Sequence, residues 1–298
     1  MSQTAVVTHQ KAIRKDNPVM KVIGRVLLYT VLIAMALFTL IPFVWMLSSS
    51  LKLDQEVFQY PIRWIPETFH WENYRVIWER VSLLTYFKNT AIIALAVTFL
   101  QTLTSSFAAY AFAKLRFKGR DLLFVAYIAT IAVPWQAYML PQFIMMRSMG
   151  LYDTLLAMIV LQAFSAFGVF LMRQFYQGIP TELCEAARID GAGHMQQFRK
   201  LTLPFVLFST MPVLIGQFIG NFNNFGIFYF LRGGLYMDGY FLASDTDLLI
   251  NWLYNLSIDN NYYCIGAAIS LIIFFITSAI SLVVYIKSPS YREEDTFQ

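Results

Sequence analysis

The chain has 298 residues, of which 58% are hydrophobic and 13% are charged, with a mean hydropathy of +0.55 and a formal net charge of +4. A soluble domain of this length carries about a quarter charged residues, so the composition excludes an ordinary soluble globular protein. The small positive charge does not indicate nucleic-acid binding, because the basic residues sort by loop. The composition indicates a polytopic membrane protein.

Six apolar runs contain no ionisable residue, and each is long enough to cross a hydrocarbon core of roughly 30 Å, which needs about 20 residues. They are residues 26–47, 91–113, 122–146, 154–172, 205–231 and 262–286. Backbone polar groups must be hydrogen-bonded within a bilayer, so these runs are expected to be helices. The predicted fold class is an all-α integral membrane protein with six transmembrane helices.

The basic residues predict the orientation of these spans. Fifteen of the 22 Lys and Arg residues fall on the loops that share a side with both termini, and seven fall on the other side. Lys and Arg are enriched in cytoplasmic loops, so both termini are predicted to be cytoplasmic. The expected organisation is an N-terminal tail over 1–25, a transmembrane domain over 26–286 and a C-terminal tail over 287–298.

Two features are expected between the first and fourth spans. The outer segment 48–89 contains Pro61, Pro66 and several aromatic residues, which is typical of a compact loop or a short interfacial helix, with a simple connector as the alternative. In the third span, Pro134 and Pro141 each remove a backbone hydrogen bond and should kink or break the helix. A functional kink and a purely structural one are both open.

The segment 181–204, here called the polar loop, is a charged stretch between spans four and five. Residues 185–188 favour a helix that Thr181 could cap, and Asp190-Gly191 predicts a turn. Residues 192–201 predict a second short helix, which Pro204 should separate from span five. A helix-turn-helix of this size has too small a core to stand alone, so its exposed face should dock on a partner.

The spacing in this loop resembles the coupling loop of binding-protein-dependent ABC importer permeases. The motif is Glu185-Ala186-Ala187, three residues, Gly191, nine residues, then Leu201-Thr202-Leu203-Pro204, with Leu201 where the family usually has Ile. The resemblance implies a cytoplasmic loop that sits in a cleft of a separate ATPase subunit. The implied coupling residues are Glu185, Ala186, Ala187, Asp190, Gly191 and Pro204. Glu185 could pair with a basic group of that partner, or with Arg188 or Arg199 of this chain.

The chain has no evident energy source of its own. The apolar runs lack the buried charges that ion-driven transporters use, and no Gly-x-x-x-x-Gly-Lys-Ser/Thr phosphate loop is present. A membrane enzyme would need a catalytic cluster, whereas His9, His70 and His194 lie on different loops. We therefore expect no catalytic residue, metal or cofactor on this chain, with MgATP bound by partner subunits.

Span five carries an unusual set of polar side chains. On an unbroken helix Gln217, Asn221, Asn224 and Phe228 share one face, and Asn223 points elsewhere. Amides beside aromatic rings suit an uncharged, hydroxyl-rich ligand. The alternative is hydrogen bonding between membrane helices, for which Asn is well suited.

A second resemblance concerns the C-terminal third. The stretches 221–225, 231–234, 246–249 and 288–298 resemble the larger subunit of maltose-type sugar permeases, whereas the chain up to Pro204 resembles the smaller one. The resemblance implies that Asn221 and Asn224 line an oligosaccharide site. The candidate substrate contacts are Gln217, Asn221, Asn224, Phe225 and Phe228. The change of subtype between Pro204 and Gln217 fits natural divergence, recombination or design.

The resemblance implies a permease subunit of an ABC importer for sugars, with maltodextrin-like oligosaccharides expected, in a bacterial cell membrane. The implied partners are a second permease chain, two ATPase subunits, an external solute-binding protein, the oligosaccharide and membrane lipid, with no nucleic acid. An importer for another solute, such as glycerol phosphate, is the alternative. A basic residue in the cavity would favour it, and none is evident. A membrane scaffold would leave the polar loop without a purpose.

Overall fold

The computed structural model describes residues 18–80, 83–231 and 244–287. Every regular element in these ranges is helical and none is a strand, which confirms the predicted all-α class. The α-helices are α1 (Pro18–Ser49), α2 (Asp54–Val57), α3 (Glu72–Arg80), α4 (Leu83–Lys114), α5 (Arg120–Ala129), α6 (Trp135–Ser148), α7 (Leu155–Gln162), α8 (Ala166–Gly178), α9 (Thr181–Ile189), α10 (His194–Gln197), α11 (Leu203–Phe222), α12 (Gly226–Leu231), α13 (Leu249–Tyr254) and α14 (Tyr263–Lys287). A 3₁₀ turn covers Thr130–Ala132, and π-helical turns cover Phe198–Thr202 and Asn255–Asp259.

The described residues contain four continuous helices that are long and apolar enough to cross a membrane, namely Val22–Ser49, Leu83–Lys114, His194–Phe222 and Tyr263–Lys287. Two further candidates are bent pairs of helices, one bent by 97° near Pro134 and one by 44° between α7 and α8. The predicted number of six spans is reached when each bent pair is counted as one span. Residues 1–17 and 288–298, which belong to the predicted tails, lie outside the described ranges, and α1 begins at Pro18, inside the predicted 1–25 tail.

Three spans are interrupted: near Pro134, between α7 and α8, and between α11 and α12. Pro134 and Asn223 explain two of these three breaks. Pro134 separates the 3₁₀ turn from α6 as predicted, whereas Pro141 lies within α6 without ending it. The prediction of an unbroken fifth span is wrong, because α11 ends at Phe222 and α12 begins at Gly226. Asn223 caps the end of α11, and its Nδ2 donates to the Ile219 carbonyl at 3.2 Å. Asn favours such local bonds over helix continuation.

Helix α4 is the central element. Its buried side chains contribute to all three apolar clusters of the described residues, for example Tyr86 in the first, Val97 in the second and Tyr110 in the third. The third cluster lies at the end of α4 that adjoins the polar loop, and the first lies at the opposite end, next to α3. A helix of this length extends over about 48 Å, enough to cross a bilayer.

Candidate functional site: a polar docking loop and a pocket at three helix breaks

Helix α9 ends in a hydrogen-bonded turn at the predicted Asp190-Gly191 position. Asp190 is the C-cap, and Gly191 adopts a left-handed φ of 83°. The Gly191 N–H donates to the Arg188 carbonyl at 3.0 Å, and the Ala192 N–H donates to the Ala187 carbonyl at 2.9 Å. This pair of bonds defines a Schellman motif, in which glycine is favoured because it has no Cβ.

The second half of the polar loop differs from the prediction. Helix α10, the π turn and α11 form one continuous helix from His194 to Phe222, so Pro204 does not separate the loop from span five. The π turn shifts the hydrogen-bond register just before Pro204, and the Thr202 hydroxyl donates to the Phe198 carbonyl at 3.3 Å. Thr181 is the first residue of α9 rather than its cap, since Pro180 holds the N-cap position.

The polar loop presents apolar side chains to its surroundings. Ile189 is 86% exposed, and Leu183 and Met195 are also exposed. Glu185 is exposed too, and within the described ranges it forms no salt bridge with Arg188 or Arg199. An exposed carboxylate beside exposed apolar groups is typical of a surface that binds another protein.

The base of the polar loop is attached to the end of α4. The Phe198 ring packs against Phe107 and Tyr110, with centroid distances of 4.9 and 5.2 Å. The Tyr110 hydroxyl donates to the His194 carbonyl at 3.5 Å, and Lys114 Nζ donates to the Ile179 carbonyl at 2.8 Å. The loop is therefore joined to the membrane helices at both of its ends.

A pocket lies where the three broken helices meet. We call it the break pocket, and its volume is about 310 Å³, at the low end of the range for small-ligand sites. Trp135, Tyr138 and Gln142 line it from α6, and the other lining residues are Leu161, Gln162, Phe164, Asn224 and Gly226. Each break contributes residues at or beside its interruption.

The break pocket combines aromatic rings with side-chain amides that have no protein partner. Gln142 Oε1 is buried without a hydrogen bond, and the structure gives no side-chain hydrogen bond to Gln162 or Asn224 among the described residues. Buried amide atoms usually have partners, so these amides are available to a ligand. No Lys, Arg, His, Asp or Glu is among the described residues that line the pocket.

The other predicted substrate contacts do not share this pocket. Gln217 Nε2 donates to Gln101 Oε1 at 2.7 Å, and Asn221 Nδ2 donates to Thr98 Oγ1 at 3.0 Å. Both side chains therefore join α11 to α4, which is the interhelical alternative left open by the sequence. The cleft beside Gln217 holds only about 40 Å³, about one water molecule, and not a sugar.

The two predicted phenylalanines also pack within the chain. Phe225 stacks near Tyr254 at a centroid distance of 4.6 Å, and Phe228 is only 1% exposed in the second apolar cluster. The expected common face of Gln217, Asn221, Asn224 and Phe228 is not formed, because α11 ends at Phe222, before Asn224.

Sequence reasoning missed the pocket residues outside span five. Gln142 and Gln162 are amides within apolar runs, and Trp135 follows the helix-breaking Pro134. These signals were visible, but they gave no reason to place residues from three spans together. Among the described residues no group of three or more His, Cys, Asp or Glu side chains could hold a metal ion.

The polar loop and the break pocket are connected by two helices. Helix α8 begins directly after the break that holds Phe164 and ends just before the polar loop, and α11 leaves the loop and ends just before Asn224. At 1.5 Å per residue these helices are about 20 and 30 Å long. A displacement of the loop would therefore be transmitted to two of the three breaks.

Comparisons with known proteins agree with this architecture. The family described as "Binding-protein-dependent transport system inner membrane component" matches residues 101–292, which include the polar loop and the break pocket. The maltodextrin transport system permease protein MdxF of Bacillus subtilis is 44% identical over 120 residues, covering 40% of this chain and 28% of MdxF. The diacetylchitobiose uptake system permease protein NgcG of Streptomyces coelicolor is 29% identical over 199 residues, covering 66% of each chain.

The matched regions therefore cover less than two thirds of the length of these two relatives. Among solved structures, a chain of a bacterial ABC transporter involved in import of the acidic polysaccharide alginate has a TM-score of 0.72 and 22% identity. That match covers 90% of this chain and 96% of the other. At this identity the likeness concerns the fold.

Proposed function

Because the chain belongs to the family of binding-protein-dependent transport system inner membrane components, we propose that it is the permease subunit of an ATP-driven ABC importer for sugars. Oligosaccharides of the maltodextrin type are the first candidates. The chain performs no covalent chemistry and holds no cofactor, and MgATP is bound and hydrolysed by separate ATPase subunits. It lies in the cell membrane with both termini and the polar loop on the cytoplasmic side.

The observation that carries this proposal is the pair of helices that joins the polar loop to the break pocket. A partner that closes around the loop would move α8 and α11 as rigid bodies, since each helix is continuous between the two sites. Movement at the breaks would change the pocket's shape and its side of opening. This is alternating access, in which states open to opposite sides of the membrane exchange.

The polar loop is proposed to dock on an ATPase subunit. Ala186 and Ala187 leave room for close approach of a partner helix, and Ile189 supplies apolar area. The free carboxylate of Glu185 is available to a basic group of that partner. Asp190 and Gly191 hold the turn between the two halves of the loop.

The break pocket is proposed to hold the sugar. Its aromatic rings offer faces on which a sugar ring can stack, and the free amides of Gln142, Gln162 and Asn224 can bind hydroxyl groups. Gln217 and Asn221 would join the site only after α11 separates from α4. Phe225 and Phe228 pack against other parts of the chain beside the break between α11 and α12.

A neutral sugar fits this pocket better than an acidic one. The unpartnered Gln142 Oε1 can accept a hydrogen bond from a sugar hydroxyl, and an ionised carboxylate or phosphate placed against it would offer no donor. The absence of a cation among the described lining residues weighs against glycerol phosphate and acidic polysaccharides. The structural similarity to an alginate transporter is a likeness of fold and does not change this preference.

The proposed assembly contains a second permease chain, two ATPase subunits and an external solute-binding protein. Support for the last partner comes from a related structure, described as a bacterial alginate ABC transporter in complex with an alginate pentasaccharide-bound periplasmic protein. That chain has a TM-score of 0.68 to this one.

The proposal is tested by purifying the tagged chain from its membrane and identifying the subunits that accompany it. The complex is then placed in vesicles with its solute-binding protein, and ATP hydrolysis and uptake are measured with neutral and acidic oligosaccharides of matched length. We expect an ATPase to co-purify and neutral oligosaccharides to stimulate hydrolysis. Absence of any ATPase would refute the importer assignment, and stimulation by acidic sugars alone would refute the substrate assignment.

A further inference from the structure

Residues 48–80, here called the cap segment, have their polar and apolar side chains in an unusual arrangement. Ser48, Ser50 and Lys52 are buried, and Lys52 is only 1% exposed. The large aromatic side chains point outward instead, with Trp71 66% exposed and Trp78 65% exposed. A loop in contact with water usually shows the reverse arrangement. The exposed surface of the cap segment is therefore adapted to something other than bulk water.

The cap segment is firmly held, so this arrangement is a property of its fold. Asn73 Nδ2 donates to the carbonyls of Ser50 and Lys52 at 2.9 and 2.8 Å, and the Tyr74 hydroxyl donates to Ser50 Oγ at 2.9 Å. Lys52 Nζ lies 4.7 Å from the Trp45 ring centroid and donates to the Arg63 carbonyl. The bonds of Asn73 and Tyr74 hold the segment together, and the contact of Lys52 with Trp45 attaches it to α1.

A second set of contacts attaches the cap segment to α14. Asp54 Oδ1 accepts a hydrogen bond from the Cys264 N–H at 2.8 Å, at the first turn of α14. The Phe58 and Tyr263 rings meet at a centroid distance of 4.9 Å. Since α1 and α14 are both long enough to cross a membrane, the cap segment lies at the level where these helices leave the hydrocarbon core.

The exposed side chains have the composition of a membrane–water interface. Trp71 directly precedes α3 and Trp78 lies within it, and both side chains are exposed, whereas Ile77 of the same helix is buried. Arg75 Nε is paired with Glu79 Oε1 at 2.5 Å, and Arg63 is paired with Glu67. Trp and Tyr concentrate in the headgroup region, and paired charges cost less to bring there than isolated ones.

We infer that the cap segment is an anchor in the lipid headgroup region, with Trp71 and Trp78 inserted at the acyl–headgroup boundary. The occupant of this surface is phospholipid, because the surface continues the apolar face of α1, whose most apolar 18-residue stretch contains no buried residue. Trp45 of α1 and Trp64 of the cap segment join the two surfaces, with ring centroids 5.4 Å apart. The anchor would fix the depth of α1 and α14 while the opposite end of the molecule moves.

Tryptophan fluorescence with brominated lipids tests this inference. The full chain, purified with its accompanying subunits, is reconstituted in vesicles of phosphatidylcholine and phosphatidylglycerol whose acyl chains carry bromine near the headgroup or near the methyl end. Wild type is compared with the double variant Trp71→Phe/Trp78→Phe and with Trp252→Phe. Trp252 is fully buried and serves as the matched control. Subtracting the spectrum of the double variant from that of wild type leaves the emission of Trp71 and Trp78.

We expect bromine near the headgroup to quench most of the emission of Trp71 and Trp78, and bromine near the methyl end to quench less of it. Iodide in the aqueous phase should quench little. The Trp252→Phe variant should keep the full lipid-dependent quenching. Quenching by iodide instead of bromine would overturn the inference and indicate a water-facing surface. Resistance to both quenchers would also overturn it, because the surface would then be covered by a protein subunit. Neither outcome depends on the transported solute.

Discussion

The polar loop and the break pocket both lie where membrane helices are interrupted, yet they are stabilised in different ways. The polar loop is closed by hydrogen bonds between residues no more than five positions apart, such as Ala192 to Ala187. The break pocket is formed by three interruptions between Val133 and Gly226, and its amides have no side-chain hydrogen-bond partner among the described residues. The turn of the loop is closed by its own neighbouring residues, whereas the pocket depends on the packing of several spans.

This difference separates the two proposed roles. An element closed by local bonds can move as one body when a partner binds its exposed residues. A pocket formed by several breaks changes when any of its helices shifts. Substitutions in the loop should therefore affect the link between ATP hydrolysis and uptake, and substitutions in the pocket should affect the dependence on sugar concentration.

The largest effect is expected from Gly191→Val. At a φ of 83° a β-branched residue is strained, and the left-handed conformation alone costs about 1–2 kcal/mol for a residue with a Cβ. The turn should then rearrange and displace the docking surface. We expect uptake by the reconstituted complex to fall by about tenfold or more, since about 1.4 kcal/mol corresponds to a factor of ten.

Gly191→Asn is the matched control, because Asn tolerates the left-handed region. This variant should retain most of the uptake. No atom lies within 4 Å of a Cβ added at Gly191, so the two variants differ chiefly in their tolerance of the left-handed conformation. Equal activity of the Val variant and wild type would contradict the coupling role.

A smaller and different effect is expected from Gln142→Ala and Asn224→Ala. Each removes one amide from the break pocket, and a hydrogen bond contributes about 0.5–1.5 kcal/mol. The sugar concentration for half-maximal stimulation of ATP hydrolysis should rise by about two- to tenfold in each. Basal hydrolysis without sugar should not change, in contrast to a defect in the loop.

Asn223→Ser is the control for these variants. Asn223 is adjacent to Asn224 but exposed, and its side chain bonds locally to the Ile219 carbonyl, a bond that a serine hydroxyl can also donate. Asn223 does not line the break pocket, so this variant should leave the sugar dependence near that of wild type. If Asn223→Ser shifts the sugar dependence as strongly as Asn224→Ala, the substrate site lies elsewhere on α11.

The same contrast explains what the sequence could predict. The turn at Asp190-Gly191 depends on neighbouring residues, so the turn-forming Asp-Gly pair alone located it. Helical periodicity also correctly placed Gln217 and Asn221 on one face, since both bond to α4. It failed beyond Asn223, where the helix ends. The positions of Gln142 and Gln162 beside Asn224 result from tertiary packing, which has no local signature in the sequence.

A substitution in the connection between the two regions should have an intermediate effect on stability. A Cβ added at Gly168 of α8 would lie 2.6 Å from Ser105 Oγ and 3.2 Å from Ser105 Cβ, so Gly168→Ala should push α8 away from α4. Overpacking of this kind costs about 1–3 kcal/mol. We expect a lower midpoint of unfolding for the purified chain in detergent, with weaker coupling between hydrolysis and uptake.

Gly216→Ala in α11 is the matched control for this substitution. No atom lies within 4 Å of its added Cβ, and alanine favours a helix over glycine by about 1 kcal/mol. The unfolding midpoint should stay the same or rise. A midpoint for Gly168→Ala equal to that of Gly216→Ala would show that the contact between α4 and α8 is not tight enough to transmit movement.

The smallest effect is expected far from both regions, at Lys52 of the cap segment. Burial lowers the pKa of Lys52 from its usual 10.5, against the opposing influences of Cys264 and Glu56. Between the lowered pKa of the folded chain and the usual pKa of the unfolded chain, the unfolded chain binds a proton that the folded chain has released. The free energy of unfolding should therefore rise with pH in this alkaline range.

Lys52→Met keeps the length of the side chain and removes the titrating group, so this pH-dependent increment in stability should disappear. The midpoint of unfolding is measured for wild type and variant across the alkaline range, in the same detergent. Uptake at neutral pH and its sugar dependence should stay near wild type, because Lys52 contacts neither the polar loop nor the break pocket. If Lys52→Met weakened coupling or shifted the sugar dependence, the cap segment would take part in transport. The transport roles would then not be confined to the polar loop and the break pocket.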